Sequence, residues 1–464
     1  MRKTKIVCTI GPASEDRETL RQMILAGMNV ARLNFSHGSH EEHRIRVNRI
    51  KELREEMQVP VAIMLDTRGP EIRIGRFKNG SVQLKDGDMF ILTTREREGA
   101  EDGAYINYAG LPWHVKPGDI IMLDDGLISL GVVSVDGEDI ACRVEGGGPL
   151  SDNKSVNLPG IDIDMPYLSD RDREDILFAA ENELDYLALS FVRTAQDVMD
   201  VKRFLAHNGE SGIELIAKIE NRSGITHIDE IIRLSAGIMV ARGDMGVEIP
   251  FEELPHLQKQ LITKCYSAGK RVITATQMLE SMVRNPRPTR AEITDVANAI
   301  YDGTSALMLS GETANGRYPV ETIRTMAKIA ERTEEFIDYK GLFNKFRQQL
   351  DKSVVNAISH ATCTTAHDLG AAAIVTVTRT GSTARMVSRF RPATPIVAIT
   401  PNPRTYRQLA LSWGVTPLMN DYKASSRELF LDAARKVQEA NLAHDGDIIV
   451  VTGSSDRVGE ITNT

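Results

Sequence analysis

Eight short apolar runs, each followed by an amphipathic stretch, constrain this chain more than any other feature. They are Lys5–Ile10, Val30–Leu33, Val61–Leu65, Tyr186–Leu189, Glu214–Ala217, Gly237–Val240, Val272–Thr274 and Ala306–Leu309. None shows clean alternation of apolar and polar residues. That is the signature of parallel strands covered on both faces. Eight strand-then-helix units in one region predict a (β/α)8 TIM barrel.

Between the third and fourth runs the character changes. Residues 70–166 carry Asp86-Gly87-Asp88, Gly118-Asp119, Asp125-Gly126 and Asp136-Gly137 between short Val/Ile/Leu runs. This predicts a small all-β barrel domain built from hairpins. It interrupts the barrel after strand three, on the face where active-site loops sit. A third pattern follows, with strands at Ile374–Thr378, Pro395–Thr400 and Asp447–Thr452, joined through a charged helix at Tyr339–Asp351. The expected division is 1–69 with 167–340 for the catalytic barrel, 70–166 for the insertion, and 341–464 for a C-terminal α/β domain. Ser39-His40-Glu41-Glu42 and Thr289-Arg290-Ala291-Glu292 have the form of capping boxes, where helices should start.

Composition excludes several function classes. The 464 residues hold 56 basic and 64 acidic side chains, a net charge of −8, so no general attraction to nucleic acid or anionic membrane is expected. Any anion must be held locally. Cys8, Cys142, Cys265 and Cys363 form no C-x-x-C pair, which points to reduced thiols rather than disulfides or zinc. No run is long enough for a membrane span, and the apolar stretch near the start is too short for a signal peptide. The expected compartment is the cytoplasm.

The chemistry gathers where the runs end. In order the run ends carry Thr9-Ile10-Gly11, Arg32-Leu33-Asn34-Phe35-Ser36-His37, Asp66-Thr67-Arg68, Ser190-Phe191, Lys218-Ile219-Glu220-Asn221, Arg242-Gly243-Asp244, Thr276-Gln277 and Ser310-Gly311-Glu312. In a barrel these ends converge on one mouth, where active sites form. Glu220 and Asp244 are carboxylates on adjacent strands without His or Cys nearby, a donor set suited to Mg²⁺ or Mn²⁺. The competing reading is a pair of salt bridges to Lys218 and Arg242. Arg32, Arg73 and Lys218 add positive charge, so the mouth suits a phosphorylated, acidic substrate.

Two decoys are set aside. Gly146-Gly147-Gly148 with Lys154-Ser155 has the look of a P-loop, but Asn153 stands where glycine is required and no helix is predicted. His37, His40 and His43 are spaced like metal ligands, yet no other soft ligand is close, so helix-face or nucleotide contacts fit better.

Several of these segments together resemble one family. Arg32-Leu33-Asn34-Phe35-Ser36-His37-Gly38, Leu65-Asp66-Thr67-Arg68-Gly69-Pro70-Glu71-Ile72-Arg73, Lys218-Ile219-Glu220-Asn221, Met239-Val240-Ala241-Arg242-Gly243-Asp244-Met245-Gly246, Ala275-Thr276-Gln277-Met278-Leu279-Glu280-Ser281-Met282 and Met308-Leu309-Ser310-Gly311-Glu312-Thr313 are similar to pyruvate kinases of bacterial type. The resemblance covers essentially the whole chain. It implies phosphoryl transfer from phosphoenolpyruvate to ADP, giving pyruvate and ATP at the end of glycolysis. It also implies Mg²⁺ on Glu220 and Asp244, and K⁺ on Asn34, Ser36, Asp66 and Thr67. Glu71 is the residue type that accompanies K⁺ dependence in that family.

The resemblance assigns further roles. Backbone N–H groups at Gly243 and Asp244, with the Thr276 hydroxyl and Ser190, would hold the substrate carboxylate. Asn34, His37, Arg32, Arg73 and Lys154 would contact nucleotide and transferring phosphate. Lys154 lies in the insertion, which should therefore close as a lid. Lys218 is the expected partner of the phosphoryl oxygens in flight, and Thr276 with Ser310 and water the expected proton relay. Thr378, Thr380, Gly381, Ser382 and Thr383 resemble the family's site for a phosphorylated effector, with a plain helix cap as the alternative. A homotetramer is implied. Arg68 departs from the family's usual lysine. The family also continues through a further strand after Thr464, which leaves the last sheet edge and the order of Ser454–Thr464 open. Two other classes remain: a metal-dependent barrel lyase or aldolase, which needs neither Lys154 nor the K⁺ set, and a non-catalytic sugar-phosphate sensor, which predicts decayed barrel residues.

Overall fold

The structure, a computed structural model, describes residues 1–161, 163–347, 353–421 and 426–453. All eight predicted barrel strands form: Lys5–Thr9, Val30–Asn34, Ala62–Asp66, Tyr186–Leu189, Glu214–Ile219, Gly237–Ala241, Arg271–Ala275 and Ala306–Leu309. They run parallel in chain order and close, with Lys5 opposite Ala306. The missing alternation has the expected cause. Val7, Val30, Met64, Ile216, Met239 and Met308 fill the barrel interior. Their neighbours Ile6, Ala31, Leu65, Leu215, Val240 and Leu309 pack outward against helices. Leu411, from the C-terminal domain, joins the interior cluster as a plug at the barrel floor.

The insertion has a core of its own, including Phe90, Leu92, Ile121, Leu130 and Cys142. Seven strands form its sheet, from Ile72–Arg73 at one edge to Gly103–Tyr105 at the other. A bridge between Ile74 and Ile106 joins those edges and closes the sheet into a barrel. The hairpin expectation holds at Asp125-Gly126, between Leu123 and Ile128, and at Asp136-Gly137, between Asp136 and Asp139. It fails at Asp86-Gly87. The strand before it pairs with Gly148–Ser151, and the strand after it with Asp139–Gly146. Gly118-Asp119 likewise leads into Ile120–Leu123 from a helical turn at Leu111–His114. Gly87 and Gly118 have positive φ, 88° and 96°. A glycine of that kind serves any sharp loop, so the dipeptide alone does not fix which strands pair.

The C-terminal sheet has four parallel strands where three were expected. The missed one, Val415–Met419, contains Pro417 and lies at the sheet edge. Proline demotes a run in sequence reading, yet an edge strand tolerates it because one side makes no ladder bonds. The joining helix is Tyr339–Arg347. The rest of its predicted span, and the tail Ser454–Thr464, lie outside the described residues. Both capping boxes are present, at Ser39 and Thr289. Ser39→Ala should lower stability by about 1 kcal/mol, read as a drop in the thermal midpoint, because Glu42 N–H loses its acceptor.

Candidate active site

Strand alternation builds the site. Residues two beyond an interior apolar residue point to the same face. Arg32 follows Val30, Asp66 follows Met64, Ser190 follows Ala188, and Lys218 then Glu220 follow Ile216. The upper layer of the barrel interior is therefore polar where the lower layers are apolar. Asp244 joins it from the first turn of the helix Arg242–Glu248 after strand six.

These side chains touch. Arg32 Nε donates to Asp66 Oδ2 at 2.6 Å, and its Nη1 to Thr9 Oγ1 at 2.9 Å. Lys218 Nζ lies 2.7 Å from Ser190 Oγ, 3.1 Å from Asp66 Oδ1 and 2.9 Å from Glu220 Oε1. Ser190 Oγ reaches Asp66 Oδ1 at 3.1 Å and donates to Thr67 O at 2.7 Å. Phe191 N–H donates to Glu220 Oε2 at 2.5 Å. The salt-bridge reading is thus half right. Lys218 pairs with Glu220, but Arg242 pairs with Asp295 at 2.7 Å rather than with Asp244.

Charge decides what the cluster still needs. Two cations, Arg32 and Lys218, face three carboxylates, Asp66, Glu220 and Asp244. Burial opposes the Asp66 carboxylate, yet Arg32 and Lys218 hold it below the usual range. Burial also opposes the Lys218 ammonium, but Asp66 and Glu220 raise it above its ordinary value. Glu220 absorbs the excess negative charge. Burial, opposed by Lys218 and reinforced by Asp244, pushes its carboxyl up to about 8. Glu220 Oε1 is buried and accepts no hydrogen bond of good geometry. A hard divalent cation between Glu220 and Asp244 fits both facts. Among the described residues no group of three or more His, Cys, Asp or Glu could hold a metal, so substrate and water must complete any shell.

A second cluster sits beside the first. Gly243 N–H donates to Thr276 Oγ1 at 2.7 Å, and that hydroxyl donates to Ala275 O at 2.6 Å. Thr276 and Gln277 have φ of 71° and 52°. Such a conformation in a β-branched residue costs about 1–3 kcal/mol and must be held from outside. Arg242 Nη2 donates to Thr276 O at 2.7 Å. Buried Glu312 accepts from Leu279 N at 3.1 Å and Ser310 N at 2.7 Å, tying the loops after strands seven and eight together. Asp295 and these clamping roles of Arg242 and Glu312 had no signal in the sequence. Ser310 stands at the N-cap position of the short helix Gly311–Ala314 without a side-chain capping bond, and among the described residues its hydroxyl makes no bond to Thr276.

The insertion covers this mouth across a cleft of about 500 Å³. Asp244, Phe191 and His37 line the barrel side; Arg73 and Lys154 line the insertion side. Lys218 and Glu220, 8% and 1% exposed, lie below its floor. Lys154 Nζ is paired with Asp124 at 2.7 Å, and Arg73 Nε with Glu71 at 2.7 Å. Both cations are paired within the insertion. Asn34 and Asp66 are opposite each other in register. Asn34 Oδ1 accepts from Ser36 N at 3.1 Å, Thr67 Oγ1 from Ser190 N at 3.3 Å, and Ser36 O from Arg68 Nη2 at 3.2 Å. All the candidate side-chain donors here are oxygens.

The histidines divide as their surroundings dictate. His40 Nε2 lies 2.5 Å from Asp175 Oδ1, and His43 stacks on Phe35 at 4.0 Å. Burial pushes His43 down to about 4. Both serve packing, and His37 alone of the three lines the cleft. All four cysteines are buried and free. Glycines 146–148 lie in and between strands, without a helix, so the P-loop stays rejected. The segment 378–383 stands apart in the C-terminal domain. Gly381, at φ 77°, donates to Thr378 Oγ1 at 2.9 Å and precedes the helix Ser382–Ser388. No helix of the described residues is long and apolar enough to cross a membrane.

Comparison with known proteins agrees with this geometry. The family model for the pyruvate kinase barrel domain matches residues 1–323, and that for the pyruvate kinase alpha/beta domain matches residues 356–464. A pyruvate kinase of Clostridium acetobutylicum is 47% identical over all of this chain and 98% of that protein. One of Bacillus licheniformis is 47% identical over all of this chain and 79% of that protein. The crystal structure of a pyruvate kinase from Cryptosporidium parvum superposes with a TM-score of 0.94 at 40% identity, covering 97% of this chain and 93% of that one. With the closed barrel, its polar mouth and the C-terminal sheet in place, the chain belongs to the pyruvate kinase family and is a phosphotransferase.

Proposed function

We propose that this enzyme transfers the phosphoryl group of phosphoenolpyruvate to ADP, giving pyruvate and ATP in the last step of glycolysis, in the cytoplasm, with Mg²⁺ or Mn²⁺ and K⁺. The observation that carries it is Lys218, buried among Asp66, Ser190 and Glu220 beside Asp244, beneath a cleft walled by Arg73 and Lys154. Glu220 and Asp244 would hold the divalent ion, and the oxygens of Asn34, Ser36, Asp66 and Thr67 the potassium. When bound, these ions supply positive charge against the phosphate and carboxylate oxygens.

The chain's own groups do the rest. Phosphoryl transfer is mostly positioning and charge stabilisation. Lys218 and Arg32 face the phosphoryl oxygens. Gly243 and Asp244 N–H, the Thr276 hydroxyl and Ser190 orient the substrate carboxylate. Asn34, His37, Arg73 and Lys154 take the nucleotide. The enolate left behind needs a proton at carbon. Thr276 supplies it through water and Ser310, once its hydroxyl leaves Ala275 O. The barrel of 1–69 and 167–340 carries this chemistry. The insertion 70–166 swings its cations inward as a lid, excluding water. The domain 341–464 holds a phosphorylated effector at Thr378, Thr380, Gly381, Ser382 and Thr383, in a homotetramer.

The test is formation of pyruvate and ATP from phosphoenolpyruvate and ADP. Activity should fall when K⁺ is replaced by a large organic cation, and no ATP from the wild type rejects the reading. A pH effect follows from Glu220. A metal ligand must be deprotonated, and this carboxyl is raised to about 8. A proton therefore competes below that pH and ceases to compete above it. Mn²⁺ affinity should rise about tenfold from pH 7 to pH 9, followed by magnetic resonance of the free ion. In Glu220→Gln the profile should flatten.

A further inference from the structure

Both connections between barrel and insertion meet at one short loop, 190–193, after the fourth barrel strand. The outgoing connection is held by Ser190. Its N–H donates to Thr67 Oγ1 at 3.3 Å and its hydroxyl to Thr67 O at 2.7 Å. The returning connection is held at three points. Arg193 Nη1 donates to Ile163 O at 2.9 Å, and its Nη2 to Met165 O at 2.8 Å. The Tyr167 hydroxyl donates to Ser190 O at 2.8 Å.

The last of these bonds bears on the divalent site. Ser190 C=O and Phe191 N–H belong to one planar trans peptide, so they point in opposite directions. Tyr167 takes the carbonyl, and Glu220 Oε2 takes the N–H at 2.5 Å. The peptide is gripped from both sides. Phe191 also has a φ of 54°, a left-handed conformation that a bulky residue keeps only where its surroundings impose it. Glu220 has one oxygen fixed by this N–H. The other, Oε1, lies 2.9 Å from Lys218 Nζ and accepts no hydrogen bond of good geometry. What turns the peptide therefore turns the carboxylate.

Tyr167 is 6% exposed, and its ring is part of the main apolar core. Burial, with Asp197, Asp172 and Glu220 near, pushes its hydroxyl well above the ordinary value, so it remains a donor. A ring alone would fill this space; the hydroxyl adds the bond to Ser190 O. We infer that Tyr167 is a positioning residue for Glu220: its hydroxyl fixes the Ser190–Phe191 peptide, whose N–H orients the carboxylate that binds the divalent ion. The inference rests on the metal-binding role proposed above for Glu220. It also makes the returning connection of the insertion and the divalent site share one peptide.

The experiment compares the full chain with its Tyr167→Phe variant in Mn²⁺ binding, followed by magnetic resonance of the free ion, with circular dichroism showing that both are folded. Partners one step out from a metal ligand typically carry about 10- to 100-fold in affinity. Tyr167 acts through an intervening peptide, so a smaller loss of about fivefold is expected. In steady-state assays the half-saturating Mn²⁺ concentration should rise by the same factor, while the KM for ADP stays that of the parent. A merely structural role would not select the metal in this way. Arg193→Met releases Ile163 and Met165 but leaves the Ser190–Phe191 peptide gripped, so it should bind Mn²⁺ like the parent. Equal Mn²⁺ affinity in parent and Tyr167→Phe, or equal weakening in Tyr167→Phe and Arg193→Met, overturns the inference and leaves the proposed reaction untouched. A parent that binds no Mn²⁺ removes the metal-binding role of Glu220, and the inference with it.

Discussion

Lys218→Met should lower kcat by at least about 10²-fold while the protein remains folded. The residue is 8% exposed and its ammonium touches Asp66, Ser190 and Glu220, so it is fixed before substrate arrives. A preorganised donor of this kind contributes about 2.7–4 kcal/mol to a charged transition state, a factor of roughly 10²–10³ in rate. Methionine keeps most of the length and none of the charge. Two effects compete in the variant. Loss of the cation weakens binding of any anion, which raises KM. Loss of a contact that strengthens as charge spreads over the phosphoryl oxygens lowers kcat. The second should dominate because Arg32 remains beside Asp66 to bind the ground state. Steady-state assays over phosphoenolpyruvate concentration separate them. A variant with raised KM and wild-type kcat would show that Lys218 only binds, and near-wild-type values for both would remove it from the chemistry. A circular dichroism melt close to the parent's guards against the trivial explanation.

The barrel was readable because its strands obey a rule that sequence exposes. Parallel strands covered on both faces become unbroken apolar runs, and their C-terminal ends become polar where the barrel opens. The polar residues at those ends, Arg32, Asp66, Ser190, Lys218 and Glu220, proved to share one face because residues two apart always do. Less legible was anything set by partners far apart in sequence. Arg242 looked like a partner for Asp244, yet Asp295, 53 residues on, takes it. Which strands Asp86-Gly87 separates depends on pairings with residues 139–151, which no local signal carries. Val415–Met419 was hidden by Pro417, whose penalty vanishes at a sheet edge. The resting partners of Lys154 and Arg73, Asp124 and Glu71, were invisible for a different reason. The resemblance proposes which side chains meet a nucleotide, but no local signal names the carboxylates that hold them here.

The seam below the barrel was the least legible region, and it carries the largest expected effect on stability. Asp185 precedes the fourth strand and is fully buried. Its Oδ1 lies 2.7 Å from Arg407 Nε, and its Oδ2 lies 3.5 Å from Arg54 Nη1 and accepts from Ile63 N at 2.9 Å. Its carbonyl accepts from Gln408 Nε2 at 3.2 Å, and the Tyr186 hydroxyl donates to Gln408 O. One carboxylate therefore ties a barrel helix, two barrel strands and the C-terminal segment that inserts Leu411 into the barrel floor. Asp185→Ala leaves two arginines under protein with their counter-charge removed. Breaking a buried pair from one side costs about 3–5 kcal/mol, because the surviving charge stays desolvated. Asp185→Asn keeps an acceptor for Ile63 and the shape of the site, so it should cost less. Calorimetric unfolding should show a clear fall in midpoint for Asp185→Ala, an intermediate one for Asp185→Asn, and little change on removing the exposed Glu56 paired with Arg17. Turnover at low temperature should survive in all three, since Asp185 lies at the floor and the chemistry at the mouth. Equal midpoints for Asp185→Ala and the parent would mean that water reaches Arg54 and Arg407 and solvates them, and the seam would then owe its cohesion to Leu411 and its apolar neighbours instead.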